Sequence, residues 1–172
     1  MSQADLEKWE GRYAAEGLDP GAPEPFVEAA TSSLAPGAAL DVAGGLGRHA
    51  LLLAARGFDT RLVDISPRGL RAAEGFAKAR GVSLRIEARD LEADGLPDGR
   101  FDLVVVAWFL LDARAWSELP SRLSAGGHLV YVQPTTTNLE RHPRPSRRFL
   151  FARGELEAKV RAAGLRVVRS EE

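Results

Sequence analysis

Apolar positions along this chain alternate between two spacings, and the alternation predicts strands and helices in turn. Short apolar runs stand at Leu40 to Val42, Phe58 to Ile65 and Phe101 to Leu111. The last is the most apolar, and its β-branched centre Val104-Val105-Val106 predicts a strand buried on both faces in the middle of a parallel sheet. Ser83 to Ala88 sets Leu84, Ile86 and Ala88 against polar neighbours, the pattern of an outer strand. His128 to Val132 and Leu165 to Arg169 complete the predicted strands. Helical spacing fills the gaps, in Leu6/Trp9/Tyr13, Phe26/Ala30/Leu34, Leu51 to Arg56, Leu70/Ala73/Ala77, Trp116 to Leu119 and Leu156/Val160/Ala163.

Punctuation between the runs supports the same division. Ser66-Pro67 is a helix start, with serine as cap and proline where its missing N–H is harmless. Asp112 can cap the helix that runs through Trp116, and Ser2 to Asp5 resembles a capping box with aspartate in the glutamate's place. Gly17 to Pro25 holds prolines and glycines that forbid regular structure and reads as a hinge or flap; Ser124 to Gly127 reads as a tight turn, and Gln133 to Pro145 as a polar loop. Strand and helix alternate throughout, so a doubly wound, mostly parallel α/β sheet is expected. Residues 1–172 are read as a single domain, with N-terminal helices and flap over 1–36 and a sheet core over 37–172.

Composition narrows the classes of function. A net charge of −1 gives no global pull toward nucleic acid or membrane. No apolar run is long enough to span a bilayer, the polar start does not read as a signal peptide, and a cytoplasmic protein is expected. The chain has no cysteine, which excludes disulfides, thiolate metal sites and a cysteine nucleophile. No metal site is predicted.

The candidate chemistry lies in Leu40-Asp41-Val42-Ala43-Gly44-Gly45-Leu46-Gly47-Arg48-His49-Ala50 and in Asp64, about 20 residues beyond the glycines. This is a βαβ unit with a glycine-rich first turn, where a ligand approaches bare backbone. An acid at the end of the second strand can accept hydrogen bonds from ribose hydroxyls. The unit therefore asks for an adenosine-containing ligand. Gly45-x-Gly47-x-x-Ala50 also satisfies the dinucleotide pattern. Against a nicotinamide or flavin dinucleotide stand Asp41, whose charge would repel a pyrophosphate, the few residues left for a substrate domain, and Asp90 at the end of the third strand. Three acids round one crevice suit a ligand that carries positive charge.

These segments resemble the class I S-adenosylmethionine-dependent methyltransferases, in the branch that holds tellurite-resistance-type and small-molecule enzymes. Asp41 to Gly47 resembles the family's first motif, with Ala43 in place of its usual first glycine. Val63 to Pro67, Asp90-Leu91, Phe101-Asp102, Gly126 to Val130 and the opening Trp9-Glu10-Gly11-Arg12-Tyr13 resemble its other landmarks. The resemblance implies S-adenosyl-L-methionine as cofactor and methyl transfer to a small-molecule acceptor. It implies that Gly44, Gly45 and Gly47 line the methionine and ribose, with Ala43 in the same turn, and that Asp41 meets the ammonium. Asp64 would hold the ribose hydroxyls, Ile65 would flank the adenine, and Asp90 with Leu91 would meet its edge. Ala107 and Trp108 would border the methyl group, and Tyr13 would help close the pocket. The family usually closes its sheet with a hairpin beside the fifth strand. Here Leu165 to Arg169 either pairs directly with His128 to Val132 or leaves an edge open, which makes a homodimer through that edge a live expectation.

No general base is named by the sequence; His49, His128, His142 and Tyr13 are the residues considered. Arg141, His142, Arg144, Arg147 and Arg148 form the one basic cluster, readable as a solvated loop or as the recognition site of an anionic acceptor. One short cluster gives few phosphate contacts, so nucleic acid is not the expected partner. The competing functional classes are a nicotinamide-linked redox module and a non-catalytic adenosylmethionine-binding protein.

Overall fold

Five parallel strands, in the order β3-β2-β1-β4-β5, form the sheet of the computed structural model, which describes residues 3–14, 17–140 and 142–171. They are β1 (Ala38–Val42), β2 (Asp59–Asp64), β3 (Arg85–Ala88), β4 (Phe101–Ala107) and β5 (Leu123–Val132). The helices are α1 (Gln3–Arg12), α2 (Pro25–Thr31), α3 (Arg48–Ala55), α4 (Pro67–Ala79), α5 (Leu91–Asp94), α6 (Ala113–Arg122) and α7 (Glu155–Ala162). The chain winds outward from β1 to β3 and then returns to place β4 on the other side of β1. Strand order reverses between β1 and β4, and the carboxyl ends beside such a reversal are where open α/β sheets bind ligands.

Both faces of the central strands are buried, as their unbroken apolar runs require. Leu40, Val42, Val104 and Val106 pack with Leu96, Trp116, Leu119 and Tyr131 on one face. Ala39, Leu103 and Val105 pack with Val27, Leu53 and Phe58 on the other, and Ala50, Leu62, Leu70 and Ala73 form a third cluster between α3, α4 and β2. Local capping starts the helices where the sequence places them. Ser66 Oγ accepts the Gly69 N–H at 3.0 Å to begin α4, and Asp112 accepts the Ala115 N–H at 2.7 Å to begin α6.

Four expectations need correction. Leu165 to Arg169 is not a strand: it lines a groove of about 840 Å³ whose opposite wall is β5, with Phe26 and Ala30 of α2 and Leu156 and Val160 of α7 also on its walls. A strand is made by hydrogen bonds to a neighbour about 4.8 Å away, and the groove keeps this segment off β5. Among the described residues β5 therefore has β4 alone as a partner. Secondly, β5 begins at Leu123, and the expected turn at Ser124 to Gly127 is absorbed as an irregularity in its pairing with β4 between Phe101 and Leu103. Thirdly, Ala107, expected just past the fourth strand, is its last residue, and the strand stops there as Trp108 turns to φ +60°. Lastly, the Gln133 to Pro145 loop contains a 3-10 turn at Thr136–Glu140. Ser2, and with it the proposed capping box, and Arg141 lie outside the described residues.

Among the described residues no helix is long and apolar enough to cross a membrane.

Candidate functional site

Between β1 and α3 the chain turns sharply, and three residues take left-handed backbone to do so: Ala43 at φ +53°, Gly45 at +58° and Gly47 at +79°. Glycine occupies two of these without strain; alanine at the third costs about 1–2 kcal/mol. Gly44 is needed for a different reason. A Cβ there would lie 2.4 Å from both Asp41 Oδ2 and Leu62 Cδ1, so the bare Cα is what lets the Asp41 carboxylate lie beneath the turn. Ala43→Gly is expected to raise the unfolding free energy by about 0.5–1 kcal/mol, the relieved strain being partly offset by the greater freedom of unfolded glycine. Gly44→Ala is expected to displace the Asp41 carboxylate and lower stability; urea denaturation checks both.

Two buried carboxylates hold the turn from below. Gly47, at the start of α3, has no side chain to cap that helix, and Asp41 Oδ2 supplies the acceptor instead, taking the Ala50 N–H at 2.9 Å. Asp41 Oδ1 is buried and has no hydrogen-bond partner. Burial pushes the Asp41 carboxyl up to about 7, and the Asp64 charge adds to the rise, against the Ala50 N–H and Arg48, which oppose it. Asp64 Oδ2 accepts the Gly45 N–H and Oδ1 the Ser66 N–H, both at 2.9 Å. Burial raises its pKa as well, opposed by these backbone donors. The arrangement offers a glycine turn bare of side chains, two buried acids and one unsatisfied acceptor, an environment for a ligand with hydroxyl donors and a cationic group.

The first helix lies over this turn. A Cβ on Gly45 would come within 2.5 Å of Tyr13 Oη, and one on Gly69 within 2.8 Å of the Tyr13 ring, so Tyr13 rests directly on both glycines. Burial, with the Asp64 charge, pushes its hydroxyl up to about 12. Glu10 anchors α1 there: its Oε1 accepts from Ser66 Oγ at 2.5 Å and from the Arg68 N–H at 2.9 Å.

The remaining predicted residues divide. Ile65 and Ala107 are half-buried, just past β2 and at the end of β4, and Trp108 follows, 51 % exposed. Asp90 caps α5, its Oδ1 accepting from the Glu92 and Ala93 N–H groups at 3.0 and 3.2 Å. Leu91 turns its side chain into the core at 1 % exposure, leaving only its backbone for a ligand. Of the residues considered as bases, His49 is buried, its Nε2 accepts the Glu24 N–H at 3.2 Å, and burial with the Arg48 charge lowers its pKa to about 4. It is a neutral structural acceptor. His128 lines a separate cavity with Leu34, Pro36, Phe58 and Asp102 at the opposite end of the strands. His142 sits on the loop after β5, where its N–H donates to the Asn138 carbonyl at 2.8 Å.

Glu24 was not legible in advance. It lies in the flap, and its Oε1 accepts from Trp108 Nε1 at 2.7 Å and pairs with Arg48 at 2.9 Å, tying the flap to the start of α3 and the end of β4. No spacing rule announces a contact between residues 84 positions apart. Glu10 was missed for the same reason. Arg144, Arg147 and Arg148 stand exposed on the loop after β5, with the Arg148 guanidinium 4.7 Å from the Phe149 ring centre.

A family model described as a methyltransferase domain matches residues 39–127, just over half of the chain, from β1 into β5. A demethylmenaquinone methyltransferase of Thermus thermophilus is 39 % identical over 105 residues, covering 58 % of this chain and 48 % of its own length. The chain spans less than half the length of the curated relatives it matches. Among solved structures, TehB from Haemophilus influenzae superposes with a TM-score of 0.70 at 20 % identity, over 91 % of this chain and 54 % of its own. The N-methyltransferase NodS from Bradyrhizobium japonicum, solved with S-adenosyl-L-homocysteine, gives a TM-score of 0.63 at 23 % identity, over 79 % of this chain and 76 % of its own. At these identities the two structures establish a shared fold.

Proposed function

The chain belongs to the class I S-adenosylmethionine-dependent methyltransferases, and from that membership we propose that it transfers a methyl group from S-adenosyl-L-methionine to a small-molecule acceptor. The observation that carries this reading is the unpartnered, buried Asp41 Oδ1 beneath a turn of bare glycines. A buried acceptor left without a donor is costly, and an ammonium group over the turn, directly or through one water, would satisfy it. The same carboxylate disfavours a pyrophosphate, which argues against a dinucleotide.

In this reading Ala43, Gly44, Gly45 and Gly47 line the methionine and ribose, Asp41 faces the ammonium and Asp64 the ribose hydroxyls. Ile65 flanks the adenine, and Asp90 with the Leu91 backbone stands at its edge. Ala107 and Trp108 border the methyl group. The bound cofactor supplies a methyl carbon already activated by its sulfonium. What the chain's own residues contribute is alignment and exclusion of water. Tyr13, resting on Gly45 and held by the Glu10 contacts of α1, must shift to admit the nucleoside and can then close over it. A base is required only if the acceptor arrives protonated, and no histidine is assigned that role. Arg144, Arg147 and Arg148 would read an anionic group on it. Cytoplasmic residence fits this function. We further propose that the open edge of β5 pairs with a second copy of the chain. Sedimentation should then show a dimer, and a monomer at all concentrations would remove this element.

Isothermal titration with S-adenosylhomocysteine and, separately, with reduced nicotinamide cofactor tests the assignment. One site for the former and none for the latter is expected; the reverse would establish the redox reading. Labelled-methyl turnover against a metabolite panel then separates an enzyme from a non-catalytic binder.

A further inference from the structure

Trp108 holds its indole half in solvent, at 51 % exposure, on a backbone turned to φ +60°. Left-handed backbone is uncommon for a bulky residue and persists where its surroundings over-determine it. Here they do. Its N–H donates to the Val132 carbonyl at 2.9 Å, fixing the backbone against the end of β5. Its indole Nε1–H donates to Glu24 at 2.7 Å. Glu24 is itself fixed, by Arg48 at 2.9 Å and by its own N–H on His49 at 3.2 Å. The polar edge of the ring is thus already used, and what the indole presents to solvent is apolar surface.

Packing does not account for this placement. Trp116 shows what a packing tryptophan looks like in this fold: 9 % exposed and stacked on Tyr131, with ring centres 5.5 Å apart and planes 2° from parallel. Trp108 also has company. Phe149 and Leu139, at 40 % and 36 % exposure, lie on the segment that leaves β5, and Gln133, the residue after Val132, donates from Nε2 to the Phe149 carbonyl at 2.6 Å. Three of the four large apolar side chains left exposed among the described residues therefore lie on segments that leave the carboxyl ends of β4 and β5. Exposed large apolar side chains on the segments that leave the ligand-binding end of such a sheet point to a binding role.

We propose that Trp108 is a stacking platform for the methyl acceptor, and that the acceptor is a compound with a flat, unsaturated ring bearing the nucleophilic atom. This rests on the methyltransferase reading, which sets the adenine at the ends of β2 and β3, across β1 from Trp108. An aromatic ring laid on a pre-oriented indole face gains offset-stacking energy without paying to immobilise the tryptophan.

The test pairs ring acceptors with saturated partners of the same skeleton: 2-naphthol and 4-hydroxybenzoate against decahydro-2-naphthol and 4-hydroxycyclohexanecarboxylate, thiophenol against cyclohexanethiol. Binding to the protein saturated with S-adenosylhomocysteine is measured by calorimetry, and turnover by labelled-methyl transfer. At least one ring compound should bind about tenfold more tightly than its saturated partner, and turnover, which also follows the greater acidity of a phenol or aryl thiol, is compared only between wild type and the Trp108 variants. Trp108→Leu should weaken that ring compound by about 2- to 13-fold, and Trp108→Phe by less than about threefold, with any loss of S-adenosylhomocysteine affinity smaller than the loss for the ring compound. Trp108→Gly, which relieves the backbone while removing the ring, gives the same readout should the leucine variant not fold. The platform is overturned if no ring compound binds or reacts, if saturated partners bind as well, if both ring-deleting variants bind rings normally, or if they weaken S-adenosylhomocysteine by the same factor. Failure of the wild-type chain to bind S-adenosylhomocysteine would instead remove the methyltransferase reading itself.

Discussion

Asp64→Ala is expected to weaken S-adenosylhomocysteine binding by about 100-fold or more and to lower the unfolding free energy by about 2–5 kcal/mol. The two losses share a cause. Asp64 satisfies the Gly45 and Ser66 N–H groups at 2.9 Å each, at a 6 % exposed position. Alanine leaves both donors without their acceptor, at about 1–3 kcal/mol apiece where water cannot reach. It also removes the carboxylate proposed to receive the ribose hydroxyls, and charge-assisted bonds of that kind are the stronger ones. Asp64→Asn keeps one acceptor oxygen and should fall between alanine and wild type on both measures. Calorimetry gives the first quantity and urea denaturation the second. Wild-type affinity in the alanine variant would exclude Asp64 from the site.

Asp41→Asn should do the opposite to stability and the same to binding. The folded chain holds the Asp41 carboxyl at about 7, against about 3.9 for an unfolded aspartate. The folded state therefore binds the proton more tightly, and stability falls as pH rises from about 4 to about 7, with no further change from this group above that. The full effect is on the order of 4 kcal/mol. Asparagine removes the titration while its amide oxygen can still receive the Ala50 N–H. The variant should thus be more stable than wild type at pH 8, and its stability advantage should shrink toward pH 4. Binding follows the other sign. An ammonium group needs Asp41 ionised, so wild-type affinity for S-adenosylhomocysteine should rise between pH 6 and 8, with release of a proton visible as a dependence of the heat on buffer. Asp41→Asn should lose about tenfold in affinity at pH 8 and lose this pH dependence. A variant that is less stable than wild type at pH 8, or that binds as well as wild type there, would count against the assignment.

Local chemistry made much of this molecule readable from its sequence. The strand at Ala38–Val42, the glycines after it and the acid at the end of β2 are each within one βαβ unit, so their spacing carries their arrangement. Ser66-Pro67 and Asp112 announced α4 and α6 because a cap acts within three residues. What escaped depends on distant partners. Leu165 to Arg169 has strand-like residues, yet no neighbour lies close enough to pair with it. The short helix that Asp90 caps was not legible either, because four residues leave no periodic trace. Glu10 and Glu24 join segments 56 and 84 residues apart, from a helix and a flap whose sequences give no sign of the contacts. The acids that hold the glycine turn were legible; the acids that hold the covering segments to it were not.

A crystal structure of the chain grown with S-adenosylhomocysteine would test the central claim most directly. The ligand should lie over Gly44 to Gly47 with Tyr13 moved from Gly45, its ammonium turned toward Asp41 Oδ1 and its ribose hydroxyls about 3 Å from the Asp64 carboxylate. A ligand seated elsewhere, or a turn still covered by Tyr13 in crystals grown at saturating ligand, would contradict it.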